Sequence, residues 1–141
     1  MTYSIHKTEA SGLSRIVWPD SDNMDADFVS DIIDFGHSRV AASIHFKWEG
    51  NDQADAQIAI EASDFLDPDD STESEKWFDE VELPCGETRI TLNASGAGPS
   101  SRKTQLINLG TVGYRYARIA YYKGSNTTGM LRAIALGKSD V

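Results

Sequence analysis

The sequence is short of the residues that staple, anchor or activate a chain. Its 141 residues include one cysteine, Cys85, which excludes an internal disulfide. That cysteine sits in the turn Leu83-Pro84-Cys85-Gly86 with no second thiol to share a metal. No apolar run approaches the ~18 residues that carry a helix across a bilayer. The opening MTYSIHKTEASG lacks the apolar stretch of a secretory signal. With the lone cysteine, this predicts a chain made and kept in a reducing compartment. Motifs of chemistry are missing too: there is no G-x-S-x-G elbow, no H-E-x-x-H and no phosphate-cradling glycine loop between strand and helix. Gly96-Ala97-Gly98 stands beside Pro99 in a polar stretch and reads as a loop. The three histidines, His6, His37 and His45, have the spacing of neither a helical zinc pair nor adjacent strand ligands. The residues therefore point away from an enzyme.

Basic charge is scarce in the first part of the chain. Residues 1–82 carry 20 acidic and 5 basic side chains, whereas residues 83–141 carry 2 acidic and 8 basic ones, for a net charge of −9. Nucleic acid, which needs a basic face, is excluded as a partner by this balance. The charge asymmetry fits strands from both halves interleaved in one fold, or an acidic and a basic surface that meet neighbouring molecules.

What is present is a period of two. Val40, Ala42, Ile44, Phe46 and Trp48 alternate with Ala41, Ser43, His45 and Lys47, and Ala56, Ile58, Ile60 and Ala62 alternate with Gln57, Ala59 and Glu61. The turn residues Glu49-Gly50-Asn51-Asp52 between these runs predict a β-hairpin. Further strands are expected at Val29–Phe35, Trp77–Leu83, Arg89–Leu92, Gln105–Leu109, Tyr114–Tyr122 and about Met130–Leu136, some eight in all. No segment keeps a 3.6-residue apolar period for three turns. Short strands with polar turns predict an all-β antiparallel sandwich or jelly roll over residues 28–141. Residues 1–27, broken by Ser-Gly and Pro-Asp turns and four aspartates, read as an irregular arm with apolar anchors Ile16, Val17, Trp18 and Met24.

Two constellations are candidate sites. Asp67, Asp69, Asp70 and Glu73 lie in an acidic loop whose clustered oxygens suit a hard cation such as Ca²⁺, although the glycine of a calcium loop is missing. A solvated loop is the other reading. Tyr114, Arg115, Tyr116, Arg118, Tyr121 and Tyr122, with Trp18, have the composition of an interface centre. The same residues also suit the rim of a sandwich or a sugar-binding platform.

The turn Ile33-Asp34-Phe35-Gly36, the strand Ser43–Trp48, the run Ile60–Asp64, Trp77 and the later Tyr114–Tyr122 with its glycine-bracketed turn resemble small β-sandwich virion proteins of tailed bacteriophages, over about residues 28–138. That family includes jelly-roll capsid decoration (cement) proteins. The resemblance implies a virion structural protein, made in the host cytoplasm, that sits on the outer capsid surface and stabilises the shell. Its implied partners are the major capsid protein and further copies of itself, as a dimer or trimer, with no nucleic acid and no membrane. Two alternatives stay open, a tail or neck adaptor and a carbohydrate-binding or receptor-binding sandwich module.

Overall fold

Alternation of side chains across the pleat decides which residues the strands bury. The structure is a computed structural model that describes residues 5–7, 12–17, 22–35, 40–64, 78–95 and 101–139. Its strands are β1 (Ile5–Lys7), β2 (Gly12–Val17), β3 (Phe28–Val29), β4 (Ile32–Asp34), β5 (Val40–Glu49) and β6 (Ala56–Ser63). They continue as β7 (Asp79–Glu80), β8 (Ile90–Leu92), β9 (Lys103–Val112), β10 (Tyr116–Tyr122) and β11 (Met130–Ser139), with no helix of ordinary length among the described residues. β-Branched and aromatic residues such as Ile44, Phe46, Trp48, Ile58, Ile60, Ile119 and Tyr121 recur on the core face of the long strands, the types that pack well on a pleated surface.

Two sheets result. One holds seven strands in the order β1-β4-β10-β6-β7, with β3 also on β10 and β8 on β6; the other holds four, β2-β11-β5-β9. The ladders are antiparallel except β1 on β4, which is parallel. Ile44, Phe46, Leu131, Ala133 and Ile107 of the smaller sheet meet Ile58, Ile60, Leu92, Ala117, Ile119 and Tyr121 of the larger one in a single buried core. Burial of each large side chain there contributes about 1.5–3 kcal/mol. The chain is thus the all-β sandwich its alternation predicts.

One expectation is corrected. β5 and β6 are not a hairpin: β5 belongs to the four-stranded sheet and β6 to the seven-stranded one. Their link arches across the core, turning at Gly50 with φ of +80° and burying Asn51. Alternation and a turn are common to a hairpin and to such an arch, so pattern alone does not separate them. Described residues within the segment 1–27 also join the sandwich. β1 pairs with β4, β2 lines the edge of the smaller sheet along β11, and Met24 is fully buried in the core. Edge pairing satisfies backbone donors and acceptors without needing a periodic apolar face.

One end of the sandwich is tied by polar contacts between loops. Asn51 Nδ2 donates to the Asn93 carbonyl at 3.2 Å, and Asn51 Oδ1 accepts from Ser95 N at 3.0 Å. Asp52 accepts from the Thr127 backbone N–H at 2.9 Å and its hydroxyl at 2.8 Å; Asp55 accepts from the Ser125 hydroxyl at 2.6 Å. The loops that carry the chain between sheets are therefore locked to one another.

Candidate functional site

Each sheet has an outward face, and the two differ in kind. On the larger sheet, arginines and aromatics interleave. Arg115 donates to both carboxylate oxygens of Asp34, at 3.2 and 3.4 Å, and lies 4.9 Å from the Tyr116 ring centre. Arg118 donates to Glu61 at 2.7 Å and stands 4.5 Å over the Phe78 ring. Arg89 grips Glu80 through two bonds, 2.8 and 3.0 Å, and stands 3.9 Å over Tyr122. These are charge-assisted bonds and cation–π contacts made within the chain. Tyr116, Arg118 and Phe78 are buried, as is Ile32 in the same cluster. The face is already satisfied by its own residues.

The tyrosine–arginine run is drawn largely into the fold. Tyr121 points into the core at 1% exposure, tilted against Phe28 with ring centres 5.0 Å apart, and its hydroxyl donates to the Met24 carbonyl. Tyr114 is half-buried beside Phe35 at 6.1 Å, and burial pushes its hydroxyl up to about 12. Tyr116 and Arg118 are buried, and Tyr114, Arg115 and Tyr122 keep partial exposure. The physical reason is that arginine and tyrosine bury their stems and rings wherever a partner meets the polar tip. Trp18 and the acidic set Asp67, Asp69, Asp70 and Glu73 lie outside the described residues. Among the described residues no group of three or more His, Cys, Asp or Glu side chains is placed to hold a metal ion.

The outward face of the four-stranded sheet is open. Because Phe46 pairs with Ala133 and Trp48 with Leu131 on the core side, their neighbours His45, Lys47 and Glu49 on β5 and Met130, Arg132, Ile134 and Leu136 on β11 point outward. Register places His45 between Leu106 of β9 and Ile134 of β11, and Lys47 between Thr104 and Arg132. Leu106 and Leu136 are 57% and 45% exposed. A pocket of about 180 Å³ opens on this face, with His45, Lys47, Glu49, Arg102, Arg132 and Ile134 in its wall. It is smaller than the roughly 300–1,000 Å³ that encloses a whole drug-sized ligand, so it suits one anchoring group of a longer molecule.

Electrostatically the pocket wall mixes cationic donors with one carboxylate. Arg102 Nη2 donates to Glu49 Oε1 at 3.1 Å. The other oxygen, Glu49 Oε2, is buried and meets no hydrogen-bond partner among the described residues. A buried acceptor left unpaired is costly, which makes a ligand donor the natural complement. Beneath the pocket Trp48 is 5% exposed, and its indole N–H donates to the Asn93 carbonyl at 2.8 Å, so this ring does not stack on a ligand. Sequence reasoning placed His45 and Lys47 on the polar side of their strand but did not single out Glu49, Arg102, Met130, Arg132 or Ile134. A usable signal was there: in 130–136 the outward positions Met130, Ile134 and Leu136 are apolar where solvent alone favours polar residues.

No family model matches the chain, and no curated protein matches it. Among solved structures it is similar to the K3 cleaved adhesin domain of Lys-gingipain from Porphyromonas gingivalis W83, with a TM-score of 0.52 at 11% identity over 92% of this chain and 74% of that one. The K1 cleaved adhesin domain of the same protein gives 0.41 at 14% identity over 92% and 73%. A carbohydrate-binding module specific for non-crystalline cellulose gives 0.37 at 9% identity over 92% and 72%. At these identities the K3 likeness shows a shared β-sandwich fold.

Proposed function

We propose that this chain is a non-catalytic binding module that holds a saccharide on the outward face of its four-stranded sheet. The observation that carries the reading is Glu49 Oε2, which meets no hydrogen-bond partner among the described residues, in a pocket whose wall also holds the donors of Lys47 and Arg102. A sugar hydroxyl both donates and accepts, so it suits a site where Glu49 Oε2 accepts and the Lys47 ammonium donates. Ile134 and Met130 in the wall, with Leu106 and Leu136 on the same face, offer aliphatic surface for the C–H faces of sugar rings. Recognition here runs through hydrogen bonds and aliphatic contact, not through an aromatic platform. The fold shared with an adhesin domain is in keeping with a binding role. The capsid-decoration reading rests on the sequence resemblance alone, and the saccharide reading takes precedence over it.

An array of immobilised saccharides probed with the labelled chain tests the proposal. The account expects retention on a subset of glycans and a loss of about tenfold or more in affinity for Glu49→Gln, since charge-assisted hydrogen bonds are worth roughly 1.5–3 kcal/mol. Retention on no saccharide, or retention indifferent to Glu49→Gln and His45→Ala, contradicts it.

A further inference from the structure

We infer that β9 is the contact between two copies of this chain, its outer edge pairing antiparallel with the same edge of a second copy so that two four-stranded sheets run on as one. Among the described residues β9 pairs with β5 on one side and with no strand on the other. Such an edge offers a row of backbone donors and acceptors to another chain, and proteins commonly blunt it with charge, proline or brevity. Little of that is found here. β9 is ten residues long, and Thr104–Val112 contain no charged residue and no proline. Its outward Leu106 is 57% exposed. One blunting device is present, and it sets the register. The ladder with β5 shifts between Ala42 and Ser43, beside Asn108–Gly110, where Gly110 has a φ of +64° and its N–H donates to Asn108 Oδ1 at 3.0 Å. A bulge bends the strand and ends regular pairing there. The straight edge from Thr104 to Asn108 is centred on Leu106. A two-fold axis through that centre sets Leu106 against Leu106 of the second copy, and Thr104 against Asn108.

Charge fits the same register. Lys103 is exposed and is the register partner of Trp48, whose side chain faces the core, so Lys103 leans to the inner side of its sheet. At the other end of β9, Leu109 lines an open cleft of about 490 Å³, with Val81, Leu83, Tyr114 and the exposed Glu82 in its wall. The two-fold opposes Lys103 to Leu109 of the second copy and carries its ammonium towards that copy's Glu82. The same contact recurs on the other side of the axis. A chain of net charge −9 thus meets itself through opposite charges at this edge, and the doubled pair points to a second copy as the occupant. The axis stands perpendicular to the sheet, so the outward faces of both copies lie on one side. Both Glu49 pockets then face the same way and suit a polymeric ligand, although the pairing stands apart from what those pockets bind.

Sedimentation equilibrium of the full chain over a concentration series tests this, and the expected result is a reversible monomer–dimer equilibrium. Leu106→Lys sets like charges on the axis, and Lys103→Glu sets one carboxylate against another. Each should weaken the dimer about tenfold or more, with an unchanged circular dichroism spectrum because both side chains are exposed. Lys103→Glu combined with Glu82→Lys should recover the dimer. The register has its own readout. In a Cys85→Ser background, Leu106→Cys should give a covalent dimer with oxidised glutathione, since directly opposed Cβ atoms stand about 4.5–5.5 Å apart. Thr104→Cys, opposed to Asn108, should not. A chain that stays monomeric at every concentration overturns the proposal. So does a dimer that ignores Leu106→Lys, is not recovered by the double reversal, or cross-links equally through Thr104→Cys.

Discussion

The Tyr121 hydroxyl donates a 2.9 Å hydrogen bond to the Met24 carbonyl, joining residues 97 positions apart. The bond pins the segment before β3 onto β10, the strand against which β3, β4 and β6 all pair. Burial raises the Tyr121 hydroxyl well above the ordinary tyrosine value, in keeping with a group that stays protonated and donates. Tyr121→Phe keeps the ring and leaves the Met24 carbonyl unsatisfied. The expected loss is about 1–3 kcal/mol by urea denaturation. An unchanged midpoint would show that the first strands are held without this tie.

The faces of β5 are tested by a neighbouring pair of variants. Phe46 is fully buried between the sheets, so Phe46→Ala should cost about 3–5 kcal/mol. His45 faces outward in the pocket wall, and His45→Ala should cost less than about 1 kcal/mol. Thermal denaturation of both variants separates the faces, and equal losses would contradict the register.

These two residues also mark how far the sequence could be read. Phe46 and His45 were assigned to opposite faces by period two alone, because a one-residue shift would expose every apolar side chain of the strand. Which sheet a strand joins was not legible: Gly50 and Asn51 turn the chain across the core here, and the same residues turn hairpins elsewhere. The burial of Arg118 was hidden because its partner Glu61 lies on a strand distant in sequence, and an unpaired arginine would have stayed in water. The pocket was hidden for a related reason. It exists only once β5 and β11 are side by side and bring Lys47 opposite Arg132.

The Arg118–Glu61 pair offers a test of the satisfied face. Their side chains are 10% and 14% exposed, so removing one partner strands a largely buried charge. Arg118→Met is expected to lose about 3 kcal/mol or somewhat more, whereas Arg118→Met combined with Glu61→Leu should recover most of it. A denaturation series over the single and double variants checks this; additive losses would mean that the two residues do not act as a pair.

Acid should loosen the loop end before the core. The Thr127 backbone N–H, then its hydroxyl, hold the Asp52 carboxyl down at about 2, and the Ser125 hydroxyl and N–H lower Asp55. A carboxylate whose folded value lies below its unfolded one stabilises the fold above about pH 4, near the unfolded aspartate value, and loses that contribution as pH falls towards 2. The melting temperature of the parent should therefore drop over this window. Asp52→Asn, with nothing to titrate at this position, should show a shallower drop and a lower plateau at neutral pH. Parallel curves for the two proteins would remove Asp52 from the account.

Amide chemical-shift mapping during titration with a saccharide that the array retains tests the central claim most directly, because it reports which sheet meets the ligand. The account predicts saturable shifts at His45, Lys47, Glu49, Arg132 and Ile134, on β5 and β11, with Tyr116 to Tyr122 on β10 unmoved. Shifts centred on β10 and β6, or no saturable shift at any amide, would contradict it.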